Sequence, residues 1–345
     1  MKKKRTGLKI VLIVLLVLIL VPALVLGGLI ICGNKFLNDR IVRDEITGDM
    51  NLSEDEIFEG ETVAVEDSMS EIDAVRKEFE ETQNIEFAQL EGVDNILLIG
   101  ADRRNMAENG RSDTMILVSL NHNTGKIHMT SFMRAMYVCI PRSDGNVWSM
   151  LNAAYSWGGP NLLIDTIELN FRIKIDKYVV VDFTAFEKAV DLLGGVDVEL
   201  TEGEANAVSR ELREPIGYGM QHLNGRQALM YSRIRYLDND FMRTSRQRKV
   251  INEIIKKAKT MDLSTMLALA DEILPMVSTN LTNSEILVYL SRAIPMLKNE
   301  VTQRMLPVEN EGGNSYYGMI FVGGREMYRV DFANNIKALH QFINS

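Results

Sequence analysis

Two stretches of this chain concentrate residues that can hold a charged phosphorus group. The first, "NILLIGADRRNMAENGRSDTMILVSL" (Asn95–Leu120), places Asp102, Arg103, Arg104, Glu108, Arg111 and Asp113 between two apolar runs. The second, "YSRIRYLDNDFMRTSRQRKV" (Tyr231–Val250), carries Arg233, Arg235, Arg243, Arg246 and Arg248, with Gln247 among them. Arg134, at the end of "MTSFMR", stands alone between the two. Arginine forks bind phosphate oxygens in pairs, and a helix start adds a positive end. Aspartate oxygens suit a hard cation such as Mg²⁺ (or Mn²⁺), which keeps waters and bridges substrate phosphates. Arginines and paired carboxylates without a nucleophile match phosphoryl transfer by positioning and charge neutralisation. The competing reading is that these charges pair with one another on a solvated surface.

Other chemistries find less support. "GGP" at 158–160 and "GG" at 194–195 lack the residues that make a phosphate-binding glycine loop, and no G-x-S-x-G is present. The histidines, His122, His128, His222 and His340, fall in a turn, a strand, a loop and the last helix, with no spacing that suggests a catalytic or metal set. Cys32 and Cys139 are the only cysteines, too few and too far apart for a disulfide framework or a zinc site.

The elements that position these residues alternate in type. "NILLIG", "TMILVSLN" and "KIHMTSFM" read as strands, with "NHNTG" as a turn. "NLLIDTIELNF" reads as a helix, "KYVVVDF" as a strand, "TAFEKAVDLLGG" as a helix with a glycine stop and "VDVEL" as a strand. "SRQRKVINEIIKKAKT" is a long helix with Val250, Ile254 and Ile255 on its apolar face. It places Arg243, Arg246 and Gln247 on one side of its start. Arg233 and Arg235 alternate in a strand-like run and point to one face. "LSTMLALADEILPMV", "SEILVYLSRAIPML" and "FANNIKALHQFI" add helices. The expected fold is α/β, a central mixed sheet flanked by helices. "LNAAYSWGGP" (Leu151–Pro160) offers Tyr155 and Trp157 either to a ligand or to the core, the core being preferred for Trp157.

The net charge of −9 is unevenly spread. Residues 1–33 hold five Lys/Arg and no acid, whereas residues 34–92 hold eighteen Asp/Glu against five Lys/Arg. What remains is nearly neutral, so no global bias toward nucleic acid exists. "MKKKRTGLK" precedes an uncharged run of 23 residues, Ile10–Cys32. At ~1.5 Å per residue this run reaches roughly 35 Å, enough to cross a ~30 Å hydrocarbon core. The basic flank belongs on the cytoplasmic side. The expected organisation is a basic tail (1–9), a single transmembrane anchor (10–33), an acidic spacer (34–92) and an extracytoplasmic domain (93–345) with a C-terminal helical extension. Within the spacer, "SMSEIDAVRKEFEETQ" has helical spacing, with Ile72, Val75 and Phe79 on one face.

Taken in order, "NILLIGADRR…GRSDTMILVSLN", "SFMR", "LNAAYSWGGP", "VVVDFTAFEKAVDLLGGVDVEL" and "LNGRQALMYSRIRYLDNDFMRTSRQRKV" resemble the LytR-CpsA-Psr family, from about Val93 to Lys249. The resemblance implies an enzyme that takes a glycopolymer such as teichoic acid or capsule from a polyprenyl-pyrophosphate lipid. It joins the polymer to peptidoglycan through a phosphodiester, with the lipid tail in an apolar channel. It implies that Asp102 and Asp113 hold Mg²⁺. It also implies that Arg103, Arg111, Arg134, Arg233, Arg235, Arg243 and Gln247 bind the pyrophosphate, with Asp102, Arg111, Asp113 and Arg134 at the reacting centre. One departure stands out: the family usually has Arg-Asp after the third strand, and this chain has Arg134-Ala135. A lipid-binding or regulatory protein without turnover, and a pyrophosphate hydrolase, are the alternatives.

Overall fold

The structure, a computed structural model, describes residues 67–102, 110–234, 237, 240–258, 272–296, 299, 301–309 and 315–345. The expected tail, anchor and most of the spacer lie outside the described residues. Among those described, no helix is long and apolar enough to cross a membrane. The fold is mixed α/β and divides into two compact units, residues 179–300 and residues 67–178 with 301–345.

In the unit formed by 67–178 and 301–345, four strands lie side by side in the order β10-β3-β2-β1. They are β1 (Val93–Asp102), β2 (Arg111–Asn121), β3 (Lys126–Phe132) and β10 (Val301–Leu306). β1–β2 and β2–β3 are antiparallel, whereas β10 runs parallel to β3, which makes the sheet mixed. In the middle of β1 and β2 successive residues are buried, not alternate ones. That pattern requires cover on both faces.

Helix α2 (Leu151–Phe171) packs on β2, and α8 (Phe332–Ile343) packs on β3. The sequence places the start of α2 after "GGP", but the helix reaches back to Leu151. Its backbone breaks at Gly158 and Gly159, Gly159 at φ +63°, and resumes at Pro160. Glycine and proline there interrupt the helix without ending it, since proline fits the first turn of the resumed segment. Two antiparallel pairs complete the unit, β4 (Tyr137–Arg142) with β5 (Gly145–Met150) and β11 (Tyr317–Val322) with β12 (Arg325–Val330).

Helix α1 (Met69–Thr82) lies within the stretch read as a solvated spacer, yet it is built into this unit. Its stripe of Ile72, Val75 and Phe79 is buried, and the Phe79 ring meets Trp148 and Phe332 edge-on at 5.1 and 5.6 Å. An acidic helix hides its narrow apolar face while Glu71, Asp73, Glu80 and Glu81 stay in water.

In the unit of residues 179–300, β6 (Lys177–Asp182) pairs antiparallel with β9 (Val277–Thr279), and β7 (Val196–Leu200) with β8 (Gly219–Leu223). Helices α3 (Phe183–Leu192), α4 (Glu202–Leu212), α5 (Gly225–Ser232), α6 (Asp240–Ala258) and α7 (Asn283–Met296) complete the unit. The expected helix "LSTMLALADEILPMV" ends differently: Val277–Thr279 is extended and donates to the β6 ladder. α3 and α5 touch at Gly225, whose ideal Cβ would lie 2.0 Å from the Glu187 carbonyl oxygen. Only a residue without a side chain permits that approach.

Candidate functional site

Strand register decides where Asp113 points. β1 and β2 pair evenly down to Gly100 opposite Thr114, after which Ala101 faces Ser112 and Asp102 faces Arg111. Asp113 is therefore the extra residue of a β-bulge, and bulges re-aim side chains that a regular ladder would hold in line. Its carboxylate is buried, and Oδ1 lies 3.5 Å from Arg134 Nη1. The Asp113 side chain is 4% exposed and that of Arg134 24%, so the guanidinium links a buried acid to the solvent side.

The backbone around this pair is pinned on several sides. Met133 N–H donates to the Leu306 carbonyl at 2.9 Å, and the Arg134 carbonyl accepts from Asn152 N–H at 3.2 Å. The Ala135 carbonyl accepts from Tyr328 N–H at 2.9 Å, so the Arg134-Ala135 turn is held by β12. Ser156 Oγ donates to the Gly110 carbonyl at 2.9 Å and fixes the entry to β2. The first turns of α2 thus hold both the Arg134 loop and the start of the bulged strand.

A second set of polar residues sits on the first two turns of α6. Arg243, Arg246 and Gln247 are all buried. Arg243 Nη1 donates to Asp240 Oδ1 at 3.5 Å. Arg246 Nη2 donates to the Ile234 carbonyl at 2.9 Å, while Nη1 lies 3.6 Å from Glu204 Oε1. Glu204 also closes the capping box of α4, accepting from Thr201 N–H at 2.9 Å. Arg246 is thus a buttress for the chain just after Arg233.

Arg233 is not in a strand, contrary to the alternation seen in the sequence. It follows directly on α5, a helix started by the Asn224–Gln227 capping box, and its N–H closes on the Met230 carbonyl at 3.1 Å. Local capping outweighs a two-residue alternation. The Arg233 guanidinium stands over the Phe183 ring, 4.3 Å from its centroid. Nearby, burial raises the carboxyl of Glu187 above its ordinary range against the lowering pull of Arg226, with Asp191 raising it and Arg233 lowering it further.

The structure brings together Asp113 with Arg134, and sets Asp102 opposite Arg111 across the β1–β2 ladder. Arg243 and Gln247 share the buried start of α6. Arg103 and Arg235 lie outside the described residues, as do Arg104 and Glu108. Tyr155 and Trp157 are buried. Two histidines do find acidic partners, His122 with Asp94 and His222 with Asp197, each at 2.6 Å. Sequence reasoning missed that Glu204 meets Arg246 and that Phe183 lies under Arg233. The T-x-x-E box at Thr201–Glu204 was visible, but nothing local pairs it with Arg246. Among the described residues no group of three or more His, Cys, Asp or Glu is gathered as a metal cluster. A cluster of three is not what Mg²⁺ requires, since it takes one or two carboxylates and completes its shell with water and phosphate oxygens.

These features define a mixed α/β protein with carboxylates and arginines gathered where strands and helices begin and end. The chain belongs to the LytR_cpsA_psr family, whose model matches residues 59–325. It is similar to biofilm regulatory protein A of Streptococcus mutans, 38% identical over 219 residues that cover 59% of this chain and 52% of that protein. It is equally similar to the polyisoprenyl-teichoic acid–peptidoglycan teichoic acid transferase TagU of Oceanobacillus iheyensis, 38% identical over 198 residues, 54% of this chain and 57% of that one. The chain thus spans about half the length of these relatives. Among solved structures, TagV of B. subtilis matches with a TM-score of 0.58 at 25% identity, over 73% of this chain and 97% of that one. A structure described as TagT bound to LIIa-WTA shares the fold, with a TM-score of 0.59 at 24% identity over 76% and 94% of the two chains.

Proposed function

We propose that this protein is a membrane-anchored, extracytoplasmic phosphotransferase. It moves a glycopolymer from a polyprenyl-pyrophosphate carrier onto peptidoglycan in cell-wall biogenesis. The observation that carries this reading is the bulged, buried Asp113 paired with Arg134 beside Asp102 at the end of β1. A carboxylate turned out of its ladder and balanced by a partly exposed guanidinium is suited to an incoming anion. The naming of similar proteins as teichoic acid transferases supports it.

In the proposed reaction an acceptor hydroxyl attacks the phosphorus that bears the glycan. The new P–O bond forms as the P–O–P bridge breaks, polyprenyl phosphate leaves, and the hydroxyl proton passes to water. Arg134 neutralises oxygens of the pyrophosphate and is steered by Asp113. The family resemblance gives Arg103, Arg111, Arg233, Arg235, Arg243 and Gln247 the role of pyrophosphate ligands, and Asp102 and Asp113 would hold Mg²⁺ (or Mn²⁺). That ion, when bound, would supply charge neutralisation for the departing phosphate. The run Ile10–Cys32 keeps the domain where such a lipid presents its head group.

A second reading, lipid binding or regulation without turnover, is favoured by Ala135, which puts a methyl group where the family resemblance expects a carboxylate. The experiment uses the full chain in detergent with a polyprenyl-pyrophosphate glycan and a peptidoglycan fragment, with and without Mg²⁺, beside Asp102→Ala. Metal-dependent formation of linked glycan, lost in the variant, supports transfer. Free glycan phosphate identifies a hydrolase, and tight binding without product points to the non-catalytic protein.

A further inference from the structure

The stretch Leu151–Pro160 holds one polar group that the proposed reaction leaves unused. Asn152 is 4% exposed, and its Oδ1 is enclosed with no hydrogen-bond partner among the described residues. We propose that Asn152 is a further substrate-binding residue whose side-chain oxygen accepts a hydrogen bond from a sugar hydroxyl. The inference rests on the reading of the Asp113–Arg134 region as a glycan-transfer site.

Asn152 stands in the first turn of α2, where its own N–H donates to the Arg134 carbonyl at 3.2 Å. The residue before it is held as well, since Leu151 N–H donates to the Met136 carbonyl at 2.9 Å. Four residues on, Ser156 Oγ donates to the Gly110 carbonyl at 2.9 Å, at the entry to β2. Residues i and i+4 share one face of a helix, and side chains lean toward its N-terminus. The Asn152 carboxamide therefore continues the Ser156 face toward the Arg134 loop. Arg134 is the partner of Asp113, so the unsatisfied oxygen lies on the side of α2 that meets the proposed reacting centre. Nor is Asn152 spent on capping α2, whose N-cap position is Met150.

Chemistry selects the ligand. A buried acceptor without a donor is costly, and each one calls for a reason such as a catalytic role, a water or an ion. Pyrophosphate oxygens cannot complete it, because they are acceptors themselves. Sugar hydroxyls carry O–H donors, and glycan transfer brings them to the site on both the acceptor and the transferred chain. An amide oxygen accepts from a hydroxyl without adding another buried charge, as a carboxylate would.

The test takes the full chain in detergent and compares wild type with Asn152→Leu, an apolar side chain of similar shape. Three probes are titrated: a soluble peptidoglycan disaccharide-peptide, a short-chain polyprenyl-pyrophosphate glycan, and inorganic pyrophosphate, which has no sugar. Expected is roughly tenfold weaker binding of the glycan probe that supplies the hydroxyl, with pyrophosphate binding unchanged. A loss confined to the peptidoglycan fragment assigns the hydroxyl to the acceptor, and one confined to the lipid-linked probe assigns it to the transferred chain. Singly deoxygenated forms of that probe close a cycle: one of them binds wild type roughly tenfold more weakly and Asn152→Leu no more weakly. Glycan binding indifferent to Asn152, or to every deoxygenation, overturns the proposal alone. So does an equal loss for pyrophosphate, which a merely structural asparagine would produce, or a loss of Mg²⁺ affinity, which would mark a metal ligand. Thermal unfolding without ligand gives a second reading. Exchanging an unpaired buried acceptor for an apolar group leaves the melting temperature at the wild-type value or raises it, whereas a clear drop overturns the proposal. Wild-type protein that binds pyrophosphate but neither glycan probe overturns the transfer reading together with this one.

Discussion

Replacing Glu204 by alanine removes two interactions of one buried carboxylate, and glutamine removes mainly one. Oε2 accepts from Thr201 N–H and Oγ at 2.9 and 3.1 Å, which caps α4. Oε1 lies 3.6 Å from Arg246 Nη1, with the two side chains only 1% and 6% exposed. Taking one partner from a buried ion pair costs about 3–5 kcal/mol, because the charge left behind has lost both water and its counter-ion. The lost cap adds about 1 kcal/mol. Glutamine has one acceptor oxygen: kept on Thr201, it turns its NH₂ toward Arg246, where donor faces donor. Its cost is that of the broken pair without the lost cap, about 3 kcal/mol. Arg246 keeps its bond to the Ile234 carbonyl in both variants, which places Glu204→Ala at about 4 kcal/mol in total. Urea unfolding of the full chain in detergent, followed by circular dichroism at the helix band, measures both. A Glu204→Ala cost below about 1 kcal/mol would refute the reasoning that a buried charge depends on this partner, and equal costs for the two variants would refute the cap.

Gly225→Ala puts a methyl 2.0 Å from the Glu187 carbonyl oxygen, a backbone atom that moves only if α3 moves. A loss of about 2–3 kcal/mol in the same unfolding experiment is expected, and an unchanged midpoint would show that α3 and α5 are not locked there. Burial pushes the Glu78 carboxyl up to about 7 from 4.5, aided by the charge of Asp331 and a hydrogen bond to it, with Arg329 opposing. Between those two values the folded chain keeps a proton that the unfolded chain has released, so stability is greatest below about 4.5 and falls as pH rises toward about 7. The drop is on the order of 3 kcal/mol, and Glu78→Gln should flatten it in a thermal melt read from tryptophan fluorescence. A wild-type melting temperature flat across that window would contradict the raised Glu78 carboxyl.

Much of this protein can be read from the sequence, for reasons that differ by element. β1 and β2 stand out as apolar runs because both faces are covered, and β3 follows them across the "NHNTG" turn. α8 is bounded by Asp331, whose side chain accepts from Asn334 N–H at 3.0 Å, and matches its expected span. β4 and β5 escaped notice although Asp144-Gly145 marks their turn, with Gly145 at φ +128°. β9 to β12 were absent from the sequence reading, β9 because its three residues continue a run read as a helix.

The sequence by itself determined which residue types gather at the ends of elements, because caps, turns and apolar spacing depend on neighbours a few positions away. It placed Asp102, Arg111 and Asp113 around one strand junction and Arg243, Arg246 and Gln247 at one helix start. Only the tertiary structure decided what each does. Asp113 turns toward Arg134 because two strands fall out of register by one residue, and register is a relation between chains of atoms that no local spacing encodes. Arg246 meets Glu204 and Arg233 stands over Phe183, partners 42 and 50 residues away in the chain. Such partners are chosen by packing and by the cost of leaving a charge unpaired, and both are settled only when the core closes.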